Sequence, residues 1–183
     1  MIILLAMFVP PLTMRLLAEE QRSGTIEILM TAPVTDTAIV LGKFLGAMLY
    51  YVVLLVPTLG YLAVLSAVSN PDYGPVWTGY LGLLLLGALY VSVGTFFSAI
   101  TRHQIVAAVA SIVVLFVFVW VIQAASVAAE GSWRVLLGAL SIESHYRDFA
   151  RGVIDLGHVV YFVSGTALFL FLTIKVVESR KWR

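Results

Sequence analysis

The 183-residue sequence has no cysteine, three histidines and only 11% charged residues. Each shortage closes a class of chemistry. Without cysteine there are no disulfides and no thiolate metal sites, and the count is silent on compartment. A soluble domain carries about 25% charged residues, more than twice what is found here. That shortage, set beside 61% hydrophobic residues, excludes disorder, nucleic-acid binding and an ordinary cytosolic enzyme. The net charge of +1 implies no polyelectrolyte partner. Several catalytic signatures are also missing. Gly42-Lys43 is followed by Phe44, and Thr37 stands five positions before Gly42, so the chain has no phosphate-binding loop for ATP. No Gly-x-Ser-x-Gly presents a serine nucleophile. Glu19-Glu20 opens like the paired-glutamate motif of prenyl-protease-like membrane enzymes, but Gly24 stands where that motif needs arginine.

What the chain has instead is hydrocarbon. Its mean hydropathy is +1.03. The stretches Phe44 to Val68, Val76 to Ile100, Ile105 to Ala129 and Val159 to Ile174 carry no charge. Each can cross a ~30 Å hydrocarbon layer as a helix. Helices are required because lipid offers no partner for backbone N–H and C=O groups. Met1 to Leu17 is a fifth, shorter candidate, which Pro10-Pro11 should kink or break, and Pro57 should bend the next span. It has neither a basic leader nor a small-residue cleavage site, so it reads as a membrane segment rather than a signal peptide.

Basic residues set the orientation. With alternating crossings Arg15, Arg22, Lys43, Arg102, Lys175, Arg180, Lys181 and Arg183 fall on one side; Arg134, Arg147 and Arg151 fall on the other. The larger set is assigned to the cytoplasm. Residue 1 then lies outside, and a preceding span is expected, making six in all. The chain reads as one transmembrane domain over 1–183. It has a short or partial span at 1–17, a cytoplasmic segment at 18–42, and spans at 43–68, 76–100 and 105–129. An outer hairpin at 130–157, a last span at 158–177 and a cytoplasmic tail at 178–183 complete it. The fold class is all-α, a polytopic membrane helix bundle.

Between spans, Asn70 to Pro75 reads as a short outer turn, with Tyr73, Trp77 and Tyr80 as an interfacial aromatic belt. Gly42/Gly46, Gly94/Ser98 and Ala107/Ser111 are small-residue pairs that let helices approach, chiefly within the chain. No span interior carries an acid or base, which leaves a proton relay without support. Gln123, near the end of a span, is assigned to bonding a neighbouring helix.

Two segments are more than membrane. Glu19 to Lys43 mixes charge with Ile26, Leu29 and Met30 at helical spacing. Gly24 permits a bend, Pro33 stops the helix, and Thr35 or Asp36 caps the next one. A short amphipathic helix there either lies on lipid or docks on a soluble partner. Ser132 to His158, outside, suits a pair of short helices dipping into the membrane, either as a lid over a central path or as a loop resting on the bilayer. His145 and His158 with Glu143, Asp148 and Asp155 are the one set from which an outer metal site would be drawn. An integral-membrane hydrolase or metal-dependent membrane enzyme built on that cluster is the alternative to transport. A chain without energy-coupling residues of its own needs an outside source of work if it transports at all.

The run Glu19-Glu20-x-Arg22-Ser23-Gly24-Thr25-x-Glu27-x-Leu29-x-Thr31-Ala32-Pro33-Val34, continuing to Leu41-Gly42-Lys43, resembles the permease subunits of type-2 ABC transporters. So does the later run His145-Tyr146-x-x-Phe149-x-Arg151-Gly152-Val153-Ile154-Asp155, followed by Tyr161. The nearest likeness is to gliding-motility permeases and those serving nitrous-oxide reductase maturation. The family's first span and the large outer segment after it have no counterpart here. The resemblance implies a six-helix exporter permease, about five spans of which are present. Two copies, or a copy and a paralogue, would pair with two cytoplasmic ABC ATPase subunits in the inner membrane of a prokaryote. This chain would bind no cofactor, ATP and Mg residing on the partner. Glu19 to Met30 would be the coupling helix, with Glu19, Glu20, Arg22, Ser23, Gly24, Thr25 and Glu27 at the contact and Gly24 at the bend. Trp133 to Asp155, with His145, Tyr146, Phe149, Arg151, Gly152 and Asp155, would be an outer re-entrant hairpin above the path.

Overall fold

The computed structural model describes residues 1–25, 35–68 and 72–180, and those residues form helices with no strand among them. In chain order these are α1 (Ile2–Thr13), α2 (Ala18–Ser23), α3 (Asp36–Leu55), α4 (Thr58–Val68), α5 (Tyr73–Ile100) and α6 (Gln104–Phe116). A π-helical turn (Val117–Val121) joins α6 to α7 (Ile122–Ala128), and α8 (Ser132–Leu140), α9 (Ile142–Ala150) and α10 (Leu156–Arg180) follow. Five stretches are long and apolar enough to cross a membrane: Ile2–Ser23, Asp36–Val68, Tyr73–Ile100, Gln104–Ala128 and Leu156–Ser179.

Proline acts differently at its two sites. Pro57 does interrupt its span: α3 stops at Leu55 and α4 restarts at Thr58. Pro10 and Pro11 do not break α1, which runs through both and ends at Thr13. Both rings lack the N–H that would reach the Ala6 and Met7 carbonyls, yet the helix closes past them through the Met14 amide on the Pro10 carbonyl at 2.9 Å. The chain then turns through 14–17 into α2. Thr35 caps α3 as expected, its Oγ1 accepting the Ala38 amide at 3.2 Å. The helix thus begins at Asp36, whose acidic side chain suits the positive end of the helix dipole.

α5 is the axis of the bundle, packing against α1, α3, α6, α9 and α10. Its glycines let other helices come close. A Cβ on Gly87 would sit 2.1 Å from the Tyr51 ring of α3, one on Gly94 1.9 Å from Thr13 Oγ1 of α1, and one on Gly82 2.8 Å from Phe149 Cβ of α9. Tyr51 also donates its hydroxyl to the Leu83 carbonyl (2.9 Å), so ring and hydrogen bond lock α3 at one height on α5. Gly94/Ser98 and Ala107/Ser111 are buried inside the chain as the sequence suggested. Gly42 and Gly46 are not: both are exposed, with no described atom near their Cβ positions. The outward faces of α3, α4, α6 and α10 expose Leu45, Leu49, Val64, Val109 and Leu168, as lipid contact requires.

Candidate functional site

The corner where α2 meets α5 is built around one serine. Ser98, fully buried near the end of α5, accepts the Leu17 and Ala18 amides, each at 3.0 Å, and donates to the Met14 carbonyl at 3.0 Å. The first amides of a helix have no partner within it, and here a hydroxyl from another helix supplies the cap that Leu17 cannot. Gln21 Nε2 donates to the Ala99 carbonyl at 2.7 Å, fixing the next turn of α2 to the same end of α5. Glu20 pairs with Lys43 of α3, and both are partly buried. The short α2 is thereby fastened to α5 and α3 along one side.

Its other side is exposed. Glu19, Arg22, Ser23 and Thr25 are exposed. Glu19 and Glu20 lie in the first turn, where the helix dipole favours negative charge. Gly24 ends the helix with φ +75°, a left-handed cap that side chains rarely adopt. Ser23 Oγ braces the cap, donating to the Glu19 carbonyl at 2.9 Å and lying 2.8 Å from Thr25 Oγ1. Glu27, Ile26, Leu29, Met30 and Pro33 lie outside the described residues.

On the opposite end, α8 and α9 form the pair of short helices read from the sequence. Positive-φ Gly131 starts it and Gly152 (φ +90°), packed near Pro75, ends it. α8 buries nothing, and its Trp133, Val135 and Leu136 are exposed. α9 is the inner helix: Ile142 and Phe149 are buried, and the Phe149 carbonyl accepts from Thr78 Oγ1 of α5 at 2.8 Å. Ser141 caps α9 and donates to Gln123 Oε1, so Gln123 does bond a neighbour, joining the hairpin to α7.

The histidines meet here. His145 stacks on Tyr161 of α10 at 4.0 Å between ring centroids and meets His158 edge-on at 4.8 Å. Its Nδ1–H donates to the Ser141 carbonyl at 2.8 Å. His158 Nε2 lies 2.8 Å from Asp148 Oδ2. Burial lowers the proton affinity of His145 and neighbouring His158 lowers it further, against the raising effects of the Ser141 carbonyl and Asp148. Burial likewise raises the Tyr146 hydroxyl above its usual range. The other members of the cluster are turned elsewhere. Glu143 pairs with Arg147 at 3.0 Å, and Asp155 accepts the Gly157 amide at 2.7 Å. Among the described residues no three His, Asp or Glu are placed to hold a metal. Arg151 and Asp155 are exposed beside the hairpin's exit.

Sequence reasoning missed Ser98 as a hub. It stood out only as one of a small-residue pair, since its partners are about eighty positions away in the chain. Gln21 was hidden for the same reason.

An exposed polar helix is thus clamped to one end of the central span and a short helical hairpin to its other end. No curated protein matches the chain. The family model described as "ABC-2 family transporter protein" matches residues 1–177. The chain therefore belongs to the ABC-2 transporter family, as an integral, multi-pass membrane permease subunit of an ABC transporter.

Proposed function

We propose that this permease exports its substrate, moved by ATP hydrolysis in a separate cytoplasmic ATPase that grips α2 and the segment following it. Two copies, or one copy and a paralogue, would face two ATPase subunits in the inner membrane of a prokaryote, in the manner of the gliding-motility and nitrous-oxide-reductase-maturation permeases. The observation that carries this reading is the Ser98 corner. A helix whose exposed side offers Glu19, Arg22, Ser23 and Thr25 is tied through Ser98 and Gln21 to the most buried span. Force applied to α2 has a rigid route into the bundle. Such a lever transmits work only if the ATPase states differ in how they hold it. The α8–α9 hairpin would cap the path on the far side.

The direct test is copurification in detergent with a phosphate-loop ATPase from the same cells, followed by nucleotide-dependent turnover. Gly24→Pro is the decisive variant, because proline fixes φ near −65° and cannot adopt +75°. It should abolish permease-stimulated ATPase activity while leaving the permease inserted. Full stimulation in that variant would overturn the proposal.

A further inference from the structure

A cavity of about 520 Å³ lies between α5, α6 and α10 beneath the hairpin, within the size range of ligand sites. Leu89 and Val93 of α5 and Leu115 of α6 form its buried back wall, and Phe118 of the π-helical turn lies beside them. Leu140 and Leu168 form exposed lips. Its polar side chains, Tyr161 and Ser164, have both committed their hydroxyl protons. Tyr161 donates to the Leu140 carbonyl at 2.8 Å and Ser164 to the Tyr161 carbonyl at 3.1 Å. A water needs two to four polar partners, and this wall offers too few. Leaving the space empty would forfeit dispersion contacts along its whole lining. Hydrocarbon is the fitting content.

Depth and polarity identify which hydrocarbon. From Tyr161 to Phe169 the cavity follows α10 for eight residues, about 12 Å of helix. One leaflet offers about 15 Å, half of the ~30 Å core. The cavity also has one polar end. Tyr161 lines it and stacks on His145, beside the His158–Asp148 pair. A hydrocarbon shaft with exposed lips, about 12 Å long and bounded at one end by Tyr161, behind which His145, His158 and Asp148 lie, has the polarity of an amphiphile. We propose that this cavity binds a hydrocarbon chain of an amphiphile entering from the surrounding leaflet, with its polar head at the His145, His158 and Asp148 rim. The proposal rests on the membrane placement of the bundle and not on the ATPase partnership.

The test uses the full chain, without any ATPase, in phosphatidylethanolamine/phosphatidylglycerol nanodiscs. A phospholipid carrying a diazirine on its acyl chain is the probe, and labelled residues are mapped by mass spectrometry. Phe118 and Leu168 should label saturably and be protected by unlabelled lysophosphatidylcholine, whereas lipid-facing Leu45 and Leu49 should label without saturation. Gly165→Phe, which fills the cavity from α10, should reduce labelling at Phe118 to the level at Leu45. If that variant does not fold, Ser164→Phe makes the same test from the adjacent position. Unsaturable labelling at Phe118, or labelling unchanged in a folded filled variant, would overturn the proposal. So would disulfide crosslinking of Leu168→Cys between two copies, since protein rather than lipid would then cover the lips.

Discussion

Replacing Ser98 with alanine would strand the Leu17 and Ala18 amides and the Met14 carbonyl at a buried corner. A buried polar group left unpaired costs about 1–3 kcal/mol. Ser98→Ala should therefore lower the thermal midpoint of the detergent-purified permease. If Ser98 also transmits force, the ATPase should still bind but should lose stimulation, and Ser98→Thr should restore part of it. Gly87→Ala makes a contrasting prediction, since it touches packing alone. Its methyl would overlap the Tyr51 ring, and overpacking of this kind costs about 1–3 kcal/mol. A thermal melt should show the loss, and Tyr51→Val placed on top should recover part of it. The sequence made Gly94 and Ser98 visible as small residues but gave no sign of what met them. A local pattern reports that a helix can be approached, not which helix approaches. Gly42 and Gly46 show the other side of that limit, for the same spacing there faces outward.

Among the elements, the α8–α9 hairpin should respond to acid through His145. Burial lowers its pKa from 6.5, so the docked hairpin holds fewer protons than an undocked one. Docking is then complete above about 6.5 and weakens as pH falls below it, because the undocked form takes up the proton. Around the ring stand His158 and Tyr161 from α10 and Asp148 from α9, with the Glu143–Arg147 pair further along the same helix. Amide protection factors over 142–150, taken relative to the intrinsic exchange rate at each pH, should fall as pH drops from about 7.5 to about 5.5, and His145→Gln should flatten that dependence. The elements themselves were largely legible. Uncharged runs marked the spans, Thr35 marked a helix start and Pro57 a break, because each acts within a turn or two of itself. Pro10 and Pro11 do not break α1, which closes past them through Met14 and the Pro10 carbonyl. The π-helical turn gave no sign at all: Val117 to Val121 is an unpunctuated apolar run.

For the whole molecule, the distribution of basic residues assigns α2 and Arg102 to one side of the membrane and the hairpin to the other. The absence of cysteine provides the test, as every single-cysteine variant has a silent background. Cysteine at Arg22 or Arg102 should resist an impermeant maleimide in intact cells and react after the membrane is opened. Cysteine at Trp133 or Arg151 should react in both conditions. Uniform behaviour at all four sites would refute the assigned orientation. Which helix forms the axis could not be read from the sequence, since α5, α6 and α10 are all apolar runs. The glycines of α5 mattered only once their partners were in place.

The π-helical turn has a consequence for registration. Ile122 bonds back five residues, to the Val117 carbonyl, rather than four. That extra residue sets everything beyond it back by about 100° around the helix axis relative to an unbroken α-helix of the same sequence, and Gln123 is the first polar group to inherit the rotation. Deleting one valine inside this turn should therefore restore an unbroken α-helix that still carries Gln123 to Ser141, whereas a one-residue deletion elsewhere in the span should swing Gln123 away and release the hairpin without altering a single residue in it.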